Sequence, residues 1–87
     1  AFGKAISYVN IGGNYVQLGE IEKAKEFIDN ANQLLVENDI ESLRCSINLK
    51  YAEYFAKISD YKQAIEYGNK ALKFAEEQKS EEQAMFV

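Results

Sequence analysis

The sequence lacks histidine, proline and tryptophan, and it contains one cysteine and one methionine. Histidine is the commonest general base and a preferred zinc ligand, so its absence excludes Ser-His-Asp and Cys-His nucleophile systems and histidine-based zinc sites. A single thiol, Cys45, is too few for an intrachain disulfide or a cysteine-based zinc site. We therefore predict no catalytic residue, no metal site and no cofactor, and we expect a protein that is not an enzyme.

Positive charge and long apolar runs are also scarce. The 14 acidic residues outnumber the 10 basic ones, and the net charge of -4 disfavours nucleic-acid binding by this segment. No apolar run of about 18 residues is present, so we expect no membrane contact through a spanning helix. Cys45 lies among apolar neighbours, which is typical of a buried free thiol and fits a reducing compartment. No signal-peptide pattern is visible either, so we expect a cytoplasmic location. The start at Ala1 and the apolar end at Val87 suggest an excerpt of a larger protein.

One pattern occurs twice in the chain, 40 residues apart. The matched pairs are Tyr8 with Asn48, Ile11 with Tyr51, Gly12 with Ala52, Tyr15 with Phe55, Ala24 with Ala64, and Ala31 with Ala71. A helical unit of this period cannot bury its apolar face alone and must stack on a neighbouring unit. The duplication therefore predicts a stretch of helical solenoid.

Apolar spacings of three and four residues predict five helices in an all-α fold. They cover residues 2–18, about 20–36, a third helix capped by Asn38 and ending at Ile58, a fourth capped by Asp60, and a trailing fifth that begins at Ser80. Short loops predict two antiparallel αα-hairpins plus the trailing helix. We treat 1–87 as one segment, with repeat one at about 2–37, repeat two at about 39–78, and a third pair or capping helix starting over 80–87.

The same spacings predict which side chains are buried. The first helix is expected to bury Tyr8, Ile11, Gly12, Tyr15 and Leu18, and the third Leu43, Ile47, Tyr51, Phe55 and Ile58. Tyr54 lies off the stripe of the third helix, and we expect it to be a partly exposed packing residue, with ligand contact as the alternative.

These residues resemble the tetratricopeptide repeat family, whose pattern places an aromatic, Leu-Gly and Tyr on one helix and Ala, an aromatic and Ala on the next. The first repeat is the better match; in the second, Asn48 and Gly68 replace usual aromatics. The 40-residue period exceeds the family's usual 34 or so. The resemblance implies a right-handed α-α superhelix of the extended kind found in bacterial regulators, with a protein or peptide ligand on the concave face of the first helix of each pair.

Transferring the family's ligand-facing positions gives twelve residues on the first and third helices, Val16 among them. Eight of these are our candidate binding residues: Val9, Asn10, Gly13, Gln17, Leu49, Lys50, Glu53 and Lys57. Packing between neighbouring helices is an equally good role for Val9, Val16 and Leu49. The leading hypothesis is a protein or peptide interaction module of a larger bacterial regulatory protein. Two alternatives stay open: a peptide-sensing regulatory domain of a transcription regulator or histidine kinase, and a structural segment that forms homo-oligomers through apolar solenoid ends near Phe2 and Met85-Phe86.

Overall fold

The computed structural model describes residues 2–85, with side chains described up to residue 77. Within that range the chain is all-α and contains no strand, which confirms the predicted class. Its elements are α1 (Phe2–Leu18), α2 (Ile21–Glu37), a 3-10 turn (Glu41–Leu43), α3 (Arg44–Lys57) and α4 (Tyr61–Met85). None of these helices is long and apolar enough to cross a membrane.

The first three helices end in the same backbone motif at intervals of 20 residues. Gly19, Asp39 and Ser59 adopt left-handed conformations, with φ of 79°, 52° and 66°. After each of them, the next N–H donates to the carbonyl five residues back, as in Asp60 N to Phe55 O at 2.8 Å. This is the Schellman arrangement, which satisfies the last carbonyls of a helix and reverses the chain. The 40-residue sequence period is therefore two helix-and-turn units of 20.

The link between α2 and α3 corrects one sequence prediction. Asn38 does not cap α3, because its side-chain Nδ2 donates to Leu34 O at 2.9 Å and so closes the end of α2. The residue before the 3-10 turn is Ile40, which makes no side-chain cap. Asp60 does behave as predicted, since its Oδ1 accepts the Gln63 N–H at 3.4 Å in the first turn of α4.

Helix α3 is the central element of the packing. It contacts α1, α2 and α4, while α1 pairs with α2 and α4 pairs with α3 as the two predicted antiparallel hairpins. Between α1 and α2 the Phe27 ring stacks on Tyr15 at 5.5 Å and meets Tyr8 edge-on at 5.7 Å. These centroid distances are within the range of favourable aromatic pairs.

The prediction of buried residues on α1 was partly wrong. Ile11 is 36% exposed and Leu18 is 74% exposed, whereas the buried residues of this helix are Ala5, Val9, Gly12, Gly13 and Val16. The reason is that α1 is covered on two sides, by α2 and by α3, so its buried strip is rotated toward α3. On α3 the prediction held for Ile47, but Ile58 is 41% exposed and Tyr54 is buried.

Up to residue 85, where the described backbone ends, no separate trailing helix begins. Helix α4 continues without interruption past Ser80 to Met85, so the capping-box spacing at Ser80 does not start a new helix. That spacing also occurs inside continuous helices, because residues three apart lie on one helix face. The predicted solenoid-end residue Phe86 lies outside the described residues, and Phe2 at the other end is half exposed.

Candidate functional site

The eight predicted binding residues fall into two groups on α1 and α3. Val9 is 3% exposed and Gly13 is also buried, so both lie beneath α3 rather than on a surface open to a ligand. The packing role that the sequence left open for Val9 and Val16 is therefore the one that the structure shows. Leu49, by contrast, is 48% exposed.

The remaining predicted residues lie on the outer surface of α1 and α3, which has no open groove because the Lys50 side chain covers it. A Cβ on Gly13 would lie 3.1 Å from Lys50 Cε, which shows that the Lys50 side chain crosses the α1 backbone there. Lys50 Nζ in turn lies 3.5 Å from Glu53 Oε2. Asn10, Gln17 and Lys57 are exposed on the same side. The α1–α3 surface thus offers polar side chains on top of a closely packed helix pair.

A larger concavity lies on the opposite side of α3, between α2 and α4. We call it the α2–α4 cleft; its volume is about 580 Å³, and it is lined by Lys25, Asp29, Asn32, Leu35, Val36, Arg44, Ile47, Asn48, Tyr51, Phe55, Tyr67, Lys70 and Phe74. The volume is within the range of small-molecule and peptide side-chain pockets. Helix α3 provides the floor, because α2 and α4 each pack on α3 and barely touch each other.

Aromatic rings form one wall of this cleft. Tyr67 on α4 stacks on Phe55 with centroids 5.4 Å apart and lies 5.0 Å from Tyr51. Helical spacing explains the arrangement, since Tyr51 and Phe55 are one turn apart and so share a face of α3. Gly68 follows Tyr67 and has no heavy atom within 4 Å of a built Cβ.

Tyr51 connects the aromatic wall to α2. Its hydroxyl donates a hydrogen bond to Asp29 Oδ1 at 2.6 Å, across 22 residues of sequence. Burial raises the pKa of the Tyr51 hydroxyl well above its ordinary value, and the hydrogen bond to Asp29 raises it further. The hydroxyl is therefore a donor at neutral pH, and its hydrogen bond joins the floor of the cleft, α3, to α2.

Three cations surround the opening of the cleft. Lys25 Nζ lies 3.7 Å from Asp29 Oδ2, the Arg44 guanidinium lies 5.9 Å from the centre of the Phe74 ring, and Lys70 Nζ lies 4.6 Å from the centre of the Tyr67 ring. Arg44 Nε is 3.0 Å from Glu41 Oε2, although its N–H does not point along that contact to make a hydrogen bond. With Glu41 counted beside Arg44, the three cations of the cleft exceed their two adjacent carboxylates, Asp29 and Glu41, by one.

The sequence contained a signal for this cleft that our predictions did not use. Lys25, Asp29 and Asn32 recur at spacings of four and three, which places a polar strip on α2. In the repeat alignment the corresponding positions on α4 are Ile65, Asn69 and Leu72, two of which are apolar. The strip is polar on α2 and largely apolar at the equivalent positions of α4. This difference indicates that the two helices face different surroundings.

No protein-family model matches the chain, and no similar protein was found among curated proteins or solved structures. The tetratricopeptide likeness thus rests on the residue pattern of the sequence alone. Among the described residues, no three His, Cys, Asp or Glu side chains lie together as a metal-binding group.

Proposed function

We propose that this chain is a non-enzymatic binding module of tetratricopeptide-like construction that takes a peptide segment of a protein partner in the α2–α4 cleft. The observation that supports it best is the combination of an open cleft, an aromatic wall and an excess of one positive charge in a chain of net charge -4. Charge of one sign concentrated in a concave site favours ligands of the opposite sign. The expected ligand is an acidic segment with an aromatic or aliphatic side chain.

The chemistry of the lining supports this class of ligand. The Lys70 ammonium lies over the Tyr67 ring, where a carboxylate of the ligand can reach it, whereas Arg44 over the Phe74 ring already lies 3.0 Å from Glu41. Phe74 and Tyr67 also line the cleft, so a side chain of the ligand can contact the parts of their rings that face it. The α1–α3 surface lacks this pairing, since its Lys50 is directed onto α1 and toward Glu53.

A selection from a random peptide library with the 87-residue chain as bait tests the proposal. Enriched peptides should be rich in Asp and Glu, and their affinity should fall as salt is raised, because charge pairs at an exposed opening are screened. Failure to enrich any peptide, or enrichment of basic peptides, would contradict the proposal.

Two charge-reversal variants distinguish the candidate surfaces. Lys70→Glu in the cleft should weaken the selected peptides by about tenfold or more, which corresponds to about 1.4 kcal/mol. Lys57→Glu makes the same charge change on the α1–α3 surface and should leave affinity nearly unchanged. The reverse ranking would assign binding to the α1–α3 surface that the sequence resemblance implies.

A further inference from the structure

Helix α4 carries an exposed apolar strip on the side away from α2. Tyr61 is 64% exposed, Ile65 64% and Leu72 58%, and Gly68 lies between them at helical spacing. Leu49 on the neighbouring α3 is 48% exposed. It is the repeat equivalent of Val9, which is buried in the first hairpin. We call these five residues the α4 face. Apolar side chains clustered in this way mark an interaction surface more often than scattered ones do.

We propose that the α4 face binds the same face of a second copy, so that two chains associate around a twofold axis with their α4 helices antiparallel. The complex has α3 and α4 of both copies at its centre, in the manner of a four-helix bundle. This inference goes beyond the proposed binding function and does not depend on it, because the α2–α4 cleft lies on the other side of α4.

The order of side chains along α4 fits such an axis. With the axis between Gly68 and Asn69, Ile65 of each copy lies opposite Leu72 of the other. Gly68 at the centre has open space where a Cβ would be, so two helix backbones can approach closely there. Ile65 therefore meets Leu72 in both halves of the contact, while Tyr61 at each end of the strip lies opposite Glu76 of the other copy.

Charges that border the strip are complementary in the same register. Lys62 lies near Glu76 of the second copy, and Glu66 lies near Lys73, so each half of the interface pairs opposite signs. All four residues are exposed in the single chain. A twofold axis places the same border of the two helices together, which makes these pairings possible. Peripheral charges of this kind fix register and partner choice more than they add affinity.

Head-to-tail stacking of copies fits the molecule less well. In that arrangement, α1 of one copy would pack on the α3–α4 hairpin of the next copy in the way that α3 packs on the α1–α2 hairpin within one chain. Ile47 and Tyr54 of α3 are 2% and 8% exposed, but the residues at the matching positions of α1 are Ser7 and Asn14, both exposed. Burying these polar groups without partners is costly. The outward side of α1 is thus polar at these two positions, which disfavours its docking on the apolar α4 face of another copy.

Sedimentation velocity from about 1 µM to about 1 mM tests this inference, since a small helical interface is expected to bind in the micromolar range. The expected result is a monomer–dimer equilibrium. Leu72→Glu should weaken dimerisation at least tenfold, while Leu18→Glu, at a leucine of α1 that is 74% exposed against 58% for Leu72, should leave it unchanged. Circular dichroism establishes that both variants remain folded. A monomer at every concentration, a dimer insensitive to Leu72→Glu, or growth into larger species would each overturn the proposal.

A charge swap tests the antiparallel register itself. Glu76→Lys should weaken the dimer, and adding Lys62→Glu should restore it. These two residues are 14 positions apart, about 21 Å along one helix, so they cannot pair within a chain. Restoration therefore reports contact between copies, and its absence would exclude this register.

Discussion

At the scale of single residues, the closest helix crossing depends on Gly12. A Cβ at this position would lie 2.7 Å from Ile28 Cγ1 and 3.3 Å from the Ile28 backbone N. Ile28 is fully buried, so its side chain has no free space into which it can turn. The backbone of α1 at Gly12 is therefore in direct contact with the Ile28 side chain of α2. Adding even one methyl group at Gly12 requires the two helices to move apart.

We expect Gly12→Ala to lower the free energy of unfolding by about 1–3 kcal/mol, because overpacking outweighs the better helix propensity of alanine. Gly3→Ala is the matched control: nothing lies within 4 Å of its Cβ, so stability should stay equal or rise by up to about 1 kcal/mol. Urea denaturation followed by circular dichroism measures both. Equal stability of the two variants would show that α1 and α2 can separate at no cost.

The same scale shows where sequence reasoning succeeded and where it failed. Gly12 was recognised as a packing residue because its position in the repeat pattern requires a small side chain. Tyr54 was not recognised as core, because its burial depends on how α3 is turned between α1 and α4. Periodicity identifies an apolar strip on one helix, but a helix with three neighbours has a wider buried surface than a single strip describes.

At the scale of elements, the three Schellman endings at Gly19, Asp39 and Ser59 determine the helix lengths. Only the first is a glycine, which adopts φ above zero without steric cost; Asp39 is a residue type that tolerates it better than Ser59. The other two carry side chains in a left-handed conformation, which costs roughly 1–2 kcal/mol per residue. The backbone hydrogen bonds and tertiary packing impose the motif at these two positions despite the residue type.

Ser59→Gly should therefore raise the free energy of unfolding by about 1 kcal/mol, and Asp39→Gly should act in the same direction. Ser7→Gly, in the exposed middle of α1, is the control and should lower stability by about 0.5 kcal/mol, because glycine is a poor helix former. Thermal unfolding of the three variants gives the comparison. If Ser59→Gly destabilised the chain as Ser7→Gly does, the left-handed conformation of Ser59 after α3 would be contradicted.

Element boundaries also show what the sequence left undetermined. The end of α1 at Gly19 was predictable, since glycine past a helix C-terminus is a strong stop signal. The end of α2 was misassigned because Asn38 is suited both to closing one helix and to opening the next, and only the geometry decides between them. The continuity of α4 through Ser80 follows similarly: a capping pattern has meaning only where the chain actually turns.

At the scale of the whole molecule, the two hairpins depend on each other through α3. Val9 and Val16 of α1 are buried although α1 is at the edge of the structure, because α3 covers that side of the first hairpin. The repeat pattern predicted this interdependence, but it did not predict the open α2–α4 cleft. The cleft exists because α2 and α4 diverge from each other where both pack on α3. The spacing of apolar residues does not determine the distance between those two helices.

Ile47 tests the interdependence directly, since it is 2% exposed and belongs to the core shared by both hairpins. Ile47→Ala should cost about 2–5 kcal/mol, a large share of the stability of a chain this small. Native-state hydrogen exchange should then show amides of α1 and α2 losing protection together with those of α3 and α4, because repeats are stabilised through their mutual interfaces. Val36→Ala, at a side chain 67% exposed, should change neither hairpin by more than about 0.5 kcal/mol. Loss of protection confined to α3 and α4 would mean that the first hairpin folds independently and that α3 is merely attached to it.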